Sequence, residues 1–182
     1  MKVAVIGCGN MAQAIVKRVS QQDNRIKFYT YTPSHTRAYE LAKAVDGIAV
    51  KAYCDFPKNI DLWLLACKPQ QLADVSKDLQ SLLTKSSCVV SILAATSLPQ
   101  LQRSLGISSI SRVMPNTPCA IGEGISLLYH GEQNVEQKQQ ISKLLGHCSK
   151  VIEVKSDREM DLLTVVSGSG PAYVFAFAKA MD

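Results

Sequence analysis

Residues 2–19 read KVAVIGCGNMAQAIVKRV, and this stretch decides the fold. Val3 to Ile6 form a short, continuous, largely β-branched run, as in a strand buried on both faces. Gly7-Cys8-Gly9 follows without a spacer, and Met11, Ala14, Ile15 and Val19 then recur on one face of a helix. The order strand, glycine turn, helix surrounds the pattern G-x-G-x-x-A from Gly7 to Ala12, the context that a dinucleotide fingerprint requires. Gly7 permits the tight turn, Gly9 lets a pyrophosphate approach the backbone, and Ala12 is small enough for close helix–strand packing. Free N–H groups at the helix start attract an anion, and the helix dipole adds to the attraction. A plain turn would use glycines in the same way, but the setting of this one favours a ligand.

Outward from this unit the chain alternates. Arg25–Tyr31 predicts a second strand, stopped by Pro33, and His35–Val45 a helix with Ala38, Leu41, Ala42 and Val45 inward. Strands follow at Ile48–Val50, Asp61–Cys67, Cys88–Leu93, Ile110–Met114, Ser126–Tyr129 and Val151–Val154, with helices at Gln70–Leu83, Leu98–Leu105 and Val135–Leu145. From Asp157 the spacing is helical throughout, except for a break at Ser167–Pro171. Apolar strands alternating with helices predict an α/β fold, a doubly wound parallel sheet covered on both faces. The change of character places a domain boundary near Lys155: a dinucleotide-binding Rossmann domain over 1–155, and the start of an all-α domain over 156–182.

Composition narrows the function. The 182 residues are 47% hydrophobic with a net charge of +5, but Lys and Arg are scattered, so no nucleic-acid partner is expected. The six cysteines are far apart with no C-x-x-C, which suggests neither a metal site nor a disulfide framework. No secretory leader is expected, because the N-terminal apolar run is too short and lacks a cleavage site. No run approaches membrane-spanning length, so a cytoplasmic protein without a membrane partner is expected. His35, His130 and His147 read as surface residues and receive no catalytic role.

The second strand decides which cofactor fits. An NAD site places an acid about 20 residues on from the glycines, to hold the ribose diol. Here that place reads YTYTPSHTR, Tyr29–Arg37, with no acid before Glu40. Thr32, Ser34 and Arg37 instead suit a 2′-phosphate, so NADPH is expected over NADH. Three further stretches sit where sheet or helix elements end: Ala66–Gln70, with Lys68 before Pro69; Arg112–Gly124, a rigid loop of prolines and glycines; and Val166–Phe177. In the last, Gly168 and Gly170 break the helix and Pro171 begins a new one, leaving N–H groups that suit a carboxylate.

The chain resembles the pyrroline-5-carboxylate reductase family. The resemblance rests on GCGNMA (Gly7–Ala12), ACKPQ (Ala66–Gln70, where the family typically has AVKPQ), RVMPNTP (Arg112–Pro118), GEG (Gly122–Gly124) and GSGPAY (Gly168–Tyr173), in order over essentially the whole chain. It implies NAD(P)H-dependent reduction of 1-pyrroline-5-carboxylate to L-proline by a Rossmann domain followed by a helical dimerisation domain, in a homodimer or higher homo-oligomer. It also implies cofactor contacts at Ile6, Gly7, Cys8, Gly9, Asn10, Met11, Ser34, Ala66, Cys67, Lys68, Pro69, Ile92, Leu93 and Ala94. From the position of the motifs, Asn116, Ser169 and Gly170 are expected near the substrate; the resemblance adds Asp157, where the family usually has Glu.

Other departures are Leu93 and Ala95, bulkier than the family's SxAAG, and Tyr53 where an Asn commonly lies near the adenosine. Family members also continue past Asp182 with more helices, and the apolar Pro171–Met181 helix needs cover for Tyr173, Val174, Phe175 and Phe177. A protonated cyclic imine needs little activation, so the protein's task is to position two reactants and exclude water. Two other readings remain. A β-hydroxyacid type of dehydrogenase would need a Lys base, absent between Asp157 and Ala178; an NADP-binding module without catalysis would need only the first domain.

Overall fold

The computed structural model describes residues 1–181. Its elements are β1 (Lys2–Ile6), α1 (Asn10–Gln22), β2 (Lys27–Tyr31), α2 (Thr36–Ala44), β3 (Ile48–Ala49), β4 (Leu62–Leu65), α3 (Leu72–Leu79), β5 (Val89–Ser91), α4 (Leu98–Leu105), β6 (Ile110–Met114), β7 (Gly124–His130), α5 (Val135–Gly146), β8 (Ser149–Glu153), α6 (Asp157–Thr164) and α7 (Gly170–Met181). The strands form a sheet of order β3-β2-β1-β4-β5-β6-β7-β8. Successive strands run outward from β1 on one side and from β4 on the other, so the order reverses between these two, where ligands of open α/β sheets bind.

Side-chain alternation divides the core into two layers. Val3, Val5, Leu64 and Val90 face Ile15, Val16 and Val19 of α1, Leu41 of α2, and Ile141 and Leu144 of α5. Ala4, Ile6, Trp63 and Leu65 face the other way, onto Leu72, Val75 and Leu79 of α3 and Leu101 and Leu105 of α4. At roughly 1.5–3 kcal/mol for each fully buried aliphatic side chain, these layers dominate the favourable side of folding. Local signals set the ends: Ser97 accepts the Gln100 N–H at the start of α4, and Gly106 closes that helix at φ 71°.

The sheet is not wholly parallel as the sequence predicts. β7 runs antiparallel to β6, with Ser111 opposite His130, and parallel to β8. A parallel return needs a crossover of a dozen or more residues. Only Pro115–Glu123 intervene, wound into a 3-10 turn at Thr117–Ile121. The predicted Gln70–Leu83 helix is shorter, a 3-10 turn at Pro69–Gln71 followed by α3. His130 is not a surface residue: its side chain is buried, and Nδ1 lies 2.7 Å from the Ser111 hydroxyl.

The expected helix break is also absent. A π-helical turn at Val165–Ser169 joins α6 to α7 without interruption. Pro171 has no N–H to offer the carbonyl of Ser167. The Asn116 side chain fills that place, donating from Nδ2 to the Ser167 oxygen at 3.0 Å. The continuous helix Asp157–Met181 has 25 residues and is long and apolar enough, by length and composition, to cross a membrane, contrary to the reading of the sequence as two shorter helices.

Candidate functional site

A cavity of about 400 Å³ opens at the carboxyl ends of β1, β2 and β4, beside the point where the strand order reverses. Its floor is the glycine turn, and the two glycines have different jobs. Gly7 sits at φ 101°, and a Cβ there would collide with the Ala66 carbonyl, so this glycine lets the turn cross close over the end of β4. Gly9 has an ordinary φ of −70°, and a Cβ there would meet nothing within 4 Å. The space over Gly9 belongs to the cavity. Gly9 is also the N-cap of α1 with no side-chain cap, so the first N–H groups of that helix have no intrahelical acceptor. The Gln13 side chain fixes the turn by donating to the Cys8 carbonyl at 3.2 Å.

Burial disfavours the thiolate form of both cysteines in this cavity. Burial pushes Cys8 up to about 12, its thiol donating weakly to the Tyr31 carbonyl at 3.9 Å, and pushes Cys67 up to about 11.

One wall follows β2. The Thr32 carbonyl accepts the His35 N–H at 3.0 Å, and His35 at φ 55° turns the chain into α2, which has no side-chain cap. The Thr32 hydroxyl is buried and has no partner among the described residues. Ser34 and Arg37 are exposed on the same wall, and Arg37 forms no ion pair among the described residues. The opposite wall follows β4 through Ala66, Cys67 and Lys68 to Gln71 and Val75, and the Gln71 side chain accepts the Lys68 N–H at 3.1 Å. Among the described residues no carboxylate lines the cavity, while Arg37 and Lys68 do. The chemistry of the donors is that of an anion site.

The structure therefore brings together Ile6, Gly7, Cys8, Gly9, Thr32, Ser34, Arg37, Ala66, Cys67 and Lys68. Asn10 and Met11, the first residues of α1, follow directly on the Gly9 turn and Pro69 follows Lys68; these three, with Ile92, Leu93 and Ala94, are not among the residues lining the cavity itself. Ile92–Ala94 follow β5, one strand further along the sheet, and the Leu93 side chain is buried in the core. Sequence reasoning placed neither Tyr31, Gln71 nor Val75 here, although Gln71 and Val75 are one helical turn apart just after Lys68.

Residues 2–95 match the family described as NADP oxidoreductase coenzyme F420-dependent. The pyrroline-5-carboxylate reductase of Pisum sativum is 35% identical over 97% of this chain and 65% of its own length. That of Pasteurella multocida is 35% identical over 99% of this chain and 68% of its own. The solved pyrroline-5-carboxylate reductase of Coxiella burnetii superposes with a TM-score of 0.87 at 28% identity, covering 98% of this chain and 67% of that one. The chain belongs to the pyrroline-5-carboxylate reductase family. It spans about two thirds of the length of these relatives.

Against this family background, the residues expected near substrate have structural partners. Asp157 accepts the Leu98 N–H at 3.1 Å and pairs with Arg112 Nη1 at 2.6 Å, while Asp161 takes Arg112 Nη2 at 2.8 Å. Its carboxylate fastens α6 to β6 and to the start of α4. Asn116 is buried, accepting the Ile125 N–H at 2.8 Å while it donates to Ser167. Gly170 lies inside the continuous helix, where its N–H is not free as a broken helix would leave it. Ser169 ends the π-helical turn, and its side chain lies outside the described ones. The rigid loop before β7 is packed: Cys119 is fully buried, and Gly124 has no room for a Cβ beside it. Ala95, where the family usually has Gly, sits at φ 52°, a conformation that favours glycine.

Proposed function

We propose that the cavity holds NADPH and that this chain supplies the dinucleotide-binding part of a reductase that converts 1-pyrroline-5-carboxylate to L-proline. The observation that carries the reading is the pairing of an open space over Gly9 with a β2 wall that, among the described residues, has no carboxylate but has Arg37 and an orphaned Thr32 hydroxyl. Such a wall suits a 2′-phosphate, which an acid would repel. The N–H groups at the start of α1 take the pyrophosphate, and Lys68 adds positive charge on the opposite wall. When bound, the reduced nicotinamide supplies the hydride for the imine carbon. The protein's part is to orient the dinucleotide along the switch point and to exclude water from the imine. Ile92, Leu93 and Ala94 contribute backbone at the end of β5, further along the same edge.

In this reading residues 1–155 form the cofactor domain and residues from 156 begin the helical domain. Leu162, Val165, Val166, Tyr173, Val174, Phe175 and Phe177 are exposed on α6, the π-helical turn and α7. We assign this face to a homodimer in the cytoplasm rather than to a bilayer. Asp157, Arg158, Glu159 and Asp161 crowd one end of the helix, and Arg112 pins that end to the sheet.

Calorimetric titration of the 182-residue chain tests the cofactor reading. NADPH is expected to bind more tightly than NADH, and Arg37→Ala to lose about 1–2 kcal/mol for NADPH alone, as for an exposed charged hydrogen bond. Equal affinities for the two cofactors would overturn the 2′-phosphate assignment. Slow or no NADPH oxidation with 1-pyrroline-5-carboxylate is expected from these residues by themselves, together with self-association in sedimentation. Rapid turnover by a monomer would overturn the claim that the helical face must be covered.

A further inference from the structure

Tyr53 lines the same cavity as the glycine turn, and its ring packs into an aromatic cluster. It opens a 3-10 turn, Tyr53–Asp55, whose Asp55 carboxylate accepts the Ala52 N–H at 3.0 Å. Its ring is half-buried and lies 4.4 Å, centroid to centroid, from Tyr31, which also lines the cavity. Behind it stands Phe56 at 6.3 Å, and Phe56 in turn rests on Trp63 of β4 at 5.2 Å. Four aromatic rings thus brace one another from the core out to the cavity wall. Burial holds both phenols above their ordinary range, so they remain neutral.

We propose that Tyr53, braced by Tyr31, is a stacking platform for the adenine ring and sets the affinity of the adenosine end. The inference rests on the dinucleotide reading above. With the pyrophosphate over Gly9 and the 2′-phosphate at Ser34 and Arg37, Tyr53 is among the lining residues left to the base. Besides Tyr53, the apolar Val75 lines the cavity. A flat heterocycle against a tyrosine face gains stacking energy whatever hydrogen bonds its edge makes. An amide at this position would read the edge of the nucleoside; a ring reads only its face. The site therefore tolerates a change at the purine 6-position.

The test uses 2′,5′-ADP, which carries the adenosine end alone, and calorimetry on the full chain. Tyr53→Leu is expected to weaken 2′,5′-ADP about tenfold and Tyr53→Phe to leave it unchanged, with melting curves showing that both variants are folded. The hypoxanthine analogue of NADPH is expected to bind the unsubstituted protein within about fivefold of NADPH. A loss below threefold in the Leu variant, an equal loss in the Phe variant, or a larger penalty for the hypoxanthine analogue overturns the platform while leaving the dinucleotide reading in place. Failure of the unsubstituted protein to bind NADPH or 2′,5′-ADP at all would overturn both.

Discussion

At the scale of single residues, the two glycines of the opening turn look alike in sequence and differ in what they do. Gly7 serves the fold, since it needs both a left-handed φ and a close pass over Ala66. Gly9 has neither demand on it, and its missing side chain keeps the cavity open. Gly7→Ala is expected to unfold the chain or to lower its melting temperature sharply. Gly9→Val is expected to melt close to the unsubstituted protein yet lose NADPH binding. A folded Gly9→Val variant with unchanged affinity would show that both glycines serve only the turn. The G-x-G-x-x-A pattern made this turn legible because it encodes backbone geometry directly. Tyr31 and Val75 were not legible as cavity residues, because nothing in a local pattern says which faces of β2 and α3 meet across a cavity.

At the scale of elements, the sheet could be read because buried strands and amphipathic helices carry period and length in their own residues. The direction of β7 could not be read from its apolar pattern, which is the same for a strand running either way; the short connection before it decided the matter. The continuity of the helix after Asp157 is hidden from the sequence for a related reason. Two glycines and a proline ordinarily punctuate a helix, but here a partner distant in sequence supplies what proline lacks. Asn116→Ala removes that partner and the acceptor for the Ile125 N–H together. It is expected to cost about 1–3 kcal/mol in denaturant unfolding, as when buried polar groups lose their partners. Amide exchange should quicken at Ile125, which a general loosening of the surface would not single out.

At the scale of the whole molecule, stability should depend on one buried imidazole. Desolvation, with Lys138 adding to it, holds the His130 pKa below its ordinary value against the opposing pull of Glu153. The unfolded chain then binds the proton more readily than the folded one, so stability is full above the unfolded value of about 6.5 and falls as the pH drops below it. Melting temperatures across this window should decline for the unsubstituted protein and flatten for His130→Gln. An identical decline in both would assign the effect to other groups.

The carboxamide of Asn116 also implies an order of events in folding. Its bond to Ile125 spans nine residues, and its bond to Ser167 spans 51. Contacts close in sequence form at smaller entropic cost than distant ones, so the carboxamide is oriented on the β6–β7 corner before the terminal helix arrives. The sheet is then expected to act as a template on which α6 and α7 dock late. On that expectation this helix detaches first on unfolding, with amide exchange faster in α7 than in β1 and β4 as the check, and a partner covering its apolar face slows unfolding more than it speeds folding.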